Sequence, residues 1–82
     1  MSHSDDNKYA QYLRDLGALV KEYALEAKED FNNSKGTDSE DYKSGYLMGY
    51  HRLITLMHQQ AEAFDIPLKE INLQDIDEND LL

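Results

Sequence analysis

The segment from Tyr42 to Phe64 constrains the fold of this chain most, because it is apolar around more than half of a helical circumference. With 3.6 residues per turn, its apolar and small residues cover roughly 200° of the helix surface. They are Tyr42, Gly45, Tyr46, Leu47, Gly49, Tyr50, Leu53, Ile54, Leu56, Met57, Ala61, Ala63 and Phe64. The only formal charges in this segment are Lys43, Arg52 and Glu62. One facing helix does not cover so wide an arc, so the pattern indicates a helix that packs on more than one side.

An amphipathic helix is predicted before this segment, over residues 8–33. Its apolar residues recur every three or four positions and fill an arc of roughly 160°. They are Tyr9, Tyr12, Leu13, Leu16, Leu19, Val20, Tyr23, Ala24, Ala27 and Phe31. Residues 1–7 are polar and acidic, and we expect them to form a disordered lead-in.

A turn is predicted at residues 34–37, between the two helices. The stretch from Asn32 to Gly36 contains residues that tolerate left-handed backbone or compete for backbone hydrogen bonds. Thr37 and Glu40 have the spacing of a capping box, in which the Thr37 oxygen accepts from the N–H of Glu40 and the Glu40 side chain reaches back to Thr37. The second helix is therefore predicted over residues 38–64.

A short helix followed by an acidic tail is predicted for residues 66–82. Pro67 lacks an N–H and disfavours helical geometry at Ile66, so the second helix ends before it. Four apolar residues of this region are expected to fold back over the open end of the helix pair. They are Leu68, Ile71, Leu73 and Ile76.

These elements make one small all-α domain, an antiparallel two-helix hairpin with a short C-terminal helical segment. A chain of 82 residues buries a modest core, and the absence of cysteine removes disulfides and thiolate metal sites. We therefore expect two hairpins to pair as a four-helix bundle homodimer. The predicted interface consists of Tyr42, Tyr46, Gly49, Tyr50, Leu53 and Met57. Leu53→Asp is expected to leave an unfolded or aggregated chain, because it buries an unpaired carboxylate.

Two features of the second helix fit either a core or an interface. Gly45 and Gly49 form a Gly-x-x-x-Gly pair, and each glycine makes the helix less stable than alanine would. Close approach of another group to the helix would explain why glycine stands at both positions. We interpret the pair as a packing notch in the core, with the centre of a subunit interface as the alternative. The six tyrosines lie on the apolar arcs and favour core filling or self-association over a ligand pocket.

Metal sites are weakly indicated. His58 and Glu62 lie one turn apart, but His51 is too distant to share an ion with them, so a solvated polar face is preferred. The helix-loop-helix order also resembles a calcium loop beginning at Asp30, but position six is Lys35 rather than glycine. We predict no metal or other cofactor and keep a degenerate calcium binder as a distant alternative.

Composition and motifs exclude several functional classes. A net charge of −9 argues against direct binding to nucleic acid or an anionic membrane surface. Catalytic and phosphate-binding motifs are absent, so we predict a protein that is not an enzyme and infer no small-molecule substrate. No secretory signal is recognised at the N-terminus, and the expected location is the cytoplasm.

The stretch from Ser44 to Leu53, followed by that from Gln59 to Leu68, resembles small bacterial helical proteins for which no activity is known. This resemblance implies a bacterial source and no mechanism. From the residues themselves we predict a small acidic protein-interaction or regulatory protein that acts as a homodimer. The alternative is an acidic inhibitor, such as an immunity protein or a nucleic-acid mimic, that binds a basic protein partner.

Overall fold

Two long α-helices form an antiparallel hairpin in the computed structural model, which describes residues 2–82 and their side chains from residue 7 onward. Helix α1 spans Ser2–Asn33 and helix α2 spans Glu40–Ala63. Two 3₁₀ turns follow at Leu68–Ile71 and Glu78–Leu81, and residues 2–82 contain no strand. The prediction of an all-α hairpin is therefore confirmed.

The start of α1 differs from the sequence-based expectation. The helix begins at Ser2 instead of residue 8, and Met1 lies outside the described residues. Residues 2–7 contain neither glycine nor proline, the residues that most oppose a helix. Helix α1 thus includes residues 2–7, which the sequence-based expectation left outside it.

The connection between the helices forms its hydrogen bonds differently from the predicted capping box. The Glu40 carboxylate accepts from the N–H of Gly36 at 2.9 Å, and Thr37 Oγ1 accepts from the N–H of Ser39 at 3.3 Å. Each side chain thus accepts from the residue next to its expected partner, because α2 begins at Glu40 with Ser39 as its N-cap. Gly36, with φ 84°, supplies the left-handed turn.

The core lies between the two helices and the C-terminal segment, residues 66–82. On α1 and α2 it is built largely from small residues, which allow close helix approach. The segment adds four of the buried apolar side chains and so contributes as a third layer rather than as a lid over one end. The buried apolar residues are Val20, Ala24, Ala27, Leu47, Ile54, Ala61, Ile71, Leu73, Ile76 and Leu81.

The folded chain is an elongated rod, with principal extents of 55 × 20 × 17 Å. Helix α2 ends at Ala63. Asp65 then adopts a left-handed φ of 56°, and the N–H of Ile66 donates to the Ala61 carbonyl at 2.8 Å. The chain then turns back along the hairpin. None of the helices found between residues 2 and 82 is long and apolar enough to cross a membrane.

Candidate functional site

One face of the hairpin carries large apolar side chains that no other part of the described chain covers. We call it the open face. Its side chains are 36 to 70% exposed, although they lie at helical spacing on two packed helices. They are Tyr9, Tyr12, Leu16, Leu19 and Tyr23 of α1 and Tyr42, Tyr46 and Leu53 of α2.

The two helices contribute to the open face side by side. Tyr23 of α1 lines one shallow depression together with Tyr46 and Tyr50 of α2. At 100° per residue, the α1 residues of the open face lie about 140° around the helix from the side that carries Gly17 and Lys21. That other side is where the C-terminal segment crosses α1.

The C-terminal segment covers the face opposite the open face. Asn72 Nδ2 donates to the backbone carbonyl of Arg14 at 3.1 Å, and Lys21 Nζ binds the Asp75 carboxylate at 2.8 Å. Further along α1, Lys28 Nζ donates to the Leu82 carbonyl. The hairpin therefore has one face closed by its own chain and one face open.

The predicted interface residues divide into two groups. Tyr42, Tyr46 and Leu53 lie on the open face, and Gly49 is exposed beside them. In contrast, Tyr50 and Met57 are half-buried and pack against the core between the helices. Sequence periodicity did not separate the two groups, because all of them fall within the same wide apolar arc.

A ladder of tyrosines runs along α2 at the edge of the open face. The rings of Tyr42 and Tyr46 stack with centroids 6.3 Å apart, and those of Tyr46 and Tyr50 meet edge to face at 5.4 Å. The hydrogen bond to Tyr46 and, to a smaller extent, desolvation raise the pKa of the Tyr50 hydroxyl above its ordinary value of 10.0. The three side chains together present aromatic rings with hydroxyl edges.

The glycine pair of α2 is not a packing notch inside the fold. A Cβ added at Gly45 or Gly49 would meet nothing within 4 Å. Gly17 of α1 instead has the role that we expected of that pair, since a Cβ there would lie 1.7 Å from the Ile71 carbonyl oxygen. Its signal in the sequence was a lone glycine inside a strongly periodic helix, which costs about 1 kcal/mol relative to alanine.

The candidate metal ligands are dispersed. Among the described residues, no three His, Asp or Glu side chains are grouped to hold an ion. The Nε2 atom of His58 is buried without a hydrogen-bond partner in the structure. Asp30, the first position of the calcium-like loop, lies within α1, and its carboxylate faces Lys43 Nζ at 3.8 Å.

The arrangement is suited to binding an apolar surface, because the open face offers rings and aliphatic side chains in a continuous strip. Comparison with protein families, curated proteins and solved structures finds no match to the chain.

Proposed function

We propose that the chain is a small acidic protein-interaction protein that acts as a homodimer through its open face and performs no catalysis. The open face is the observation that supports this proposal. Monomeric proteins seldom leave so many large apolar side chains together in water, and such patches mark interaction sites.

The area of the open face supports a stable interface. With roughly 200 Å² for each fully exposed side chain of this size, its exposed fractions add to roughly 800 Å². A stable protein interface buries about 800 Å² on each partner. The open face alone therefore matches one side of a dimer interface.

A second copy suits the open face better than an unrelated surface, because α1 and α2 present similar strips of leucine and tyrosine. Two such faces brought together about a two-fold axis bury each other and complete a four-helix bundle. The chain is also of a size at which oligomerisation commonly supplements a small core. Its fold class and its exposed apolar strip thus favour the same assembly.

The outer surface of such a dimer is acidic, which suits a basic protein partner in the cytoplasm. The alternative of an acidic inhibitor rests on the net charge of −9. Its C-terminal carboxylates are already engaged within the chain, however. Asp75 binds Lys21, the Asp77 carboxylate accepts from the N–H of Asn79 at 3.1 Å, and the Asp80 carboxylate accepts from the N–H of Asp77 at 3.0 Å.

The solution mass tests the proposal, measured by light scattering after size exclusion. The wild-type chain is expected to have the mass of a dimer, and Leu53→Asp that of a monomer with unchanged helicity. Leu25→Asp is the matched control, because Leu25 is 47% exposed on α1 away from the open face. A wild-type monomer at all concentrations contradicts the proposal. Repeating the measurement with calcium and with chelator tests the calcium alternative.

A further inference from the structure

Residues of opposite charge lie on the exposed sides of the two helices. On α1, Glu22 lies on the outer edge and Glu26, one turn further, lines the depression with Tyr23 and Tyr46. On α2, the outer edge carries Arg52, with Asp41 about three turns before it. Glu22, Glu26 and Arg52 are exposed. Neither of the two ion pairs between described side chains involves any of them. In a chain with 17 acidic residues, Arg52 is placed where a carboxylate from outside can reach it.

The surroundings of Arg52 favour a partner that brings both apolar surface and negative charge. Arg52 borders a groove of about 850 Å³ whose other walls include Met48, Leu53 and Leu56. Because Leu53 belongs to both the groove and the open face, the two surfaces are continuous. A helix lying on the open face would therefore place its flanking side chains beside Arg52.

The contacts within the hairpin fix which residues of α1 and α2 lie at the same height. Asp30 pairs with Lys43, and two turns further along, Tyr23 lies beside Tyr50. In an antiparallel pair, each step forward along α2 corresponds to one step back along α1. Arg52 is therefore level with Lys21, within one turn of Glu22 and close to Glu26.

Two open faces can meet in two symmetric ways. A two-fold axis across the helices places α1 over α1 and α2 over α2 of the partner, so the α1 edge with Lys8, Asp15 and Glu22 meets its own copy. An axis along the helices places α1 over the partner's α2. Rotation about that axis does not move residues along it. Residues that are level with each other within one hairpin are therefore also level across the dimer interface.

We propose that a second copy of this chain docks in the latter way, with Arg52 of each protomer between Glu22 and Glu26 of the other. This inference rests on the proposed function, since it names the orientation of the same self-association. Opposite charges then face each other at Arg52 twice in every dimer, whereas the other orientation places Arg52 over the partner's α2, away from Glu22 and Glu26.

Charge reversal tests the orientation, with dissociation measured by sedimentation equilibrium. Arg52→Glu alone and the double variant Glu22→Lys with Glu26→Lys are each expected to raise the dissociation constant of the homodimer about tenfold, because each reversal acts at two symmetric contacts. The matched control for the double variant is Glu62→Lys with Glu70→Lys. It has the same net charge but changes exposed residues away from these edges.

Mixing the two variants gives the decisive measurement. The Arg52→Glu chain and the Glu22→Lys, Glu26→Lys chain are expected to form a heterodimer at wild-type affinity, which native mass spectrometry identifies by its mass. Two outcomes with a dimeric wild type would contradict the orientation and leave the proposed homodimer standing. In the first, the variants dissociate like their control; in the second, the mixture forms no heterodimer. If the wild type is a monomer, both proposals fail.

Discussion

Gly17 and Gly45 lie inside helices but in opposite surroundings, so the same substitution is expected to have opposite effects. Gly45→Ala adds a methyl group in open space and is expected to raise the free energy of unfolding by about 0.5–1 kcal/mol. Gly17→Ala is expected to lower it, because the Cβ would lie 1.7 Å from the Ile71 carbonyl oxygen. Urea denaturation of the two variants checks this. Equal effects of the same sign would show that the C-terminal segment does not cross α1 at Gly17.

Leu53 and Ile54 are neighbours in sequence and differ in their environment, since Leu53 is 36% exposed and Ile54 is fully buried. Ile54→Ala is expected to cost about 2–5 kcal/mol of stability because it leaves a cavity. For Leu53→Ala, measured at concentrations where the chain is monomeric, we expect a loss below about 1 kcal/mol. A comparable loss at both positions would contradict the assignment of Leu53 to the open face.

The exposure of Leu53 also changes the expected outcome of Leu53→Asp. From sequence alone, we expect this variant to give an unfolded or aggregated chain, because Leu53 is placed at the crossing of the dimer, where the new carboxylate would be buried without a partner. In the folded chain the new carboxylate has access to water, so loss of the dimer is expected without loss of the helices. Periodicity identifies the apolar arc but does not tell which part of it the same chain covers.

At the scale of elements, the last 3₁₀ turn is expected to stabilise the fold through one side chain. Leu81 is fully buried, whereas Leu82 is 65% exposed. Leu81→Ala is expected to lower the free energy of unfolding by about 2–5 kcal/mol and Leu82→Ala by less than about 0.5 kcal/mol. Thermal unfolding followed by circular dichroism compares the two. Equal melting temperatures would show that the end of the segment is not docked.

The ion pair between Lys21 and Asp75 joins the C-terminal segment to α1 and makes stability depend on acid pH. The hydrogen bond from Lys21 lowers the pKa of the Asp75 carboxyl below its ordinary 3.8. The contribution of the pair is therefore complete above pH 3.8 and is lost as pH falls through the lowered pKa. Asp75→Asn is expected to flatten this part of the stability profile, measured by urea denaturation from neutral to acid pH, and Asp65→Asn serves as the control.

The helices were predictable because their apolar residues repeat at helical spacing, and their inner ends agree closely with the structure. The start of α1 was not predictable, since polar composition does not distinguish a disordered segment from a helical one. The C-terminal segment was predicted to fold back, but its position along the hairpin depends on Gly17 and on bonds between residues 54 or more positions apart. Local sequence carries little information about such contacts.

For the whole molecule, the net charge gives a prediction that separates the two candidate functions. Two chains of charge −9 repel each other, so dimerisation is expected to strengthen severalfold as ionic strength rises from about 0.05 M to about 0.5 M. An acidic inhibitor would instead lose a basic partner over the same range. Sedimentation equilibrium at several salt concentrations measures the trend, and a steep loss of the dimer with rising salt would contradict association through the apolar open face.

The crossing of the C-terminal segment over Gly17 also determines when the core can be completed. A ribosome makes the chain from its N-terminus, so Leu73, Ile76 and Leu81 emerge after both helices. Until then the hairpin lacks one layer of its core, and both of its faces are in contact with the surroundings. Stable folding is therefore expected to follow synthesis of the C-terminal segment, and nascent chains arrested before residue 73 should be sensitive to proteases.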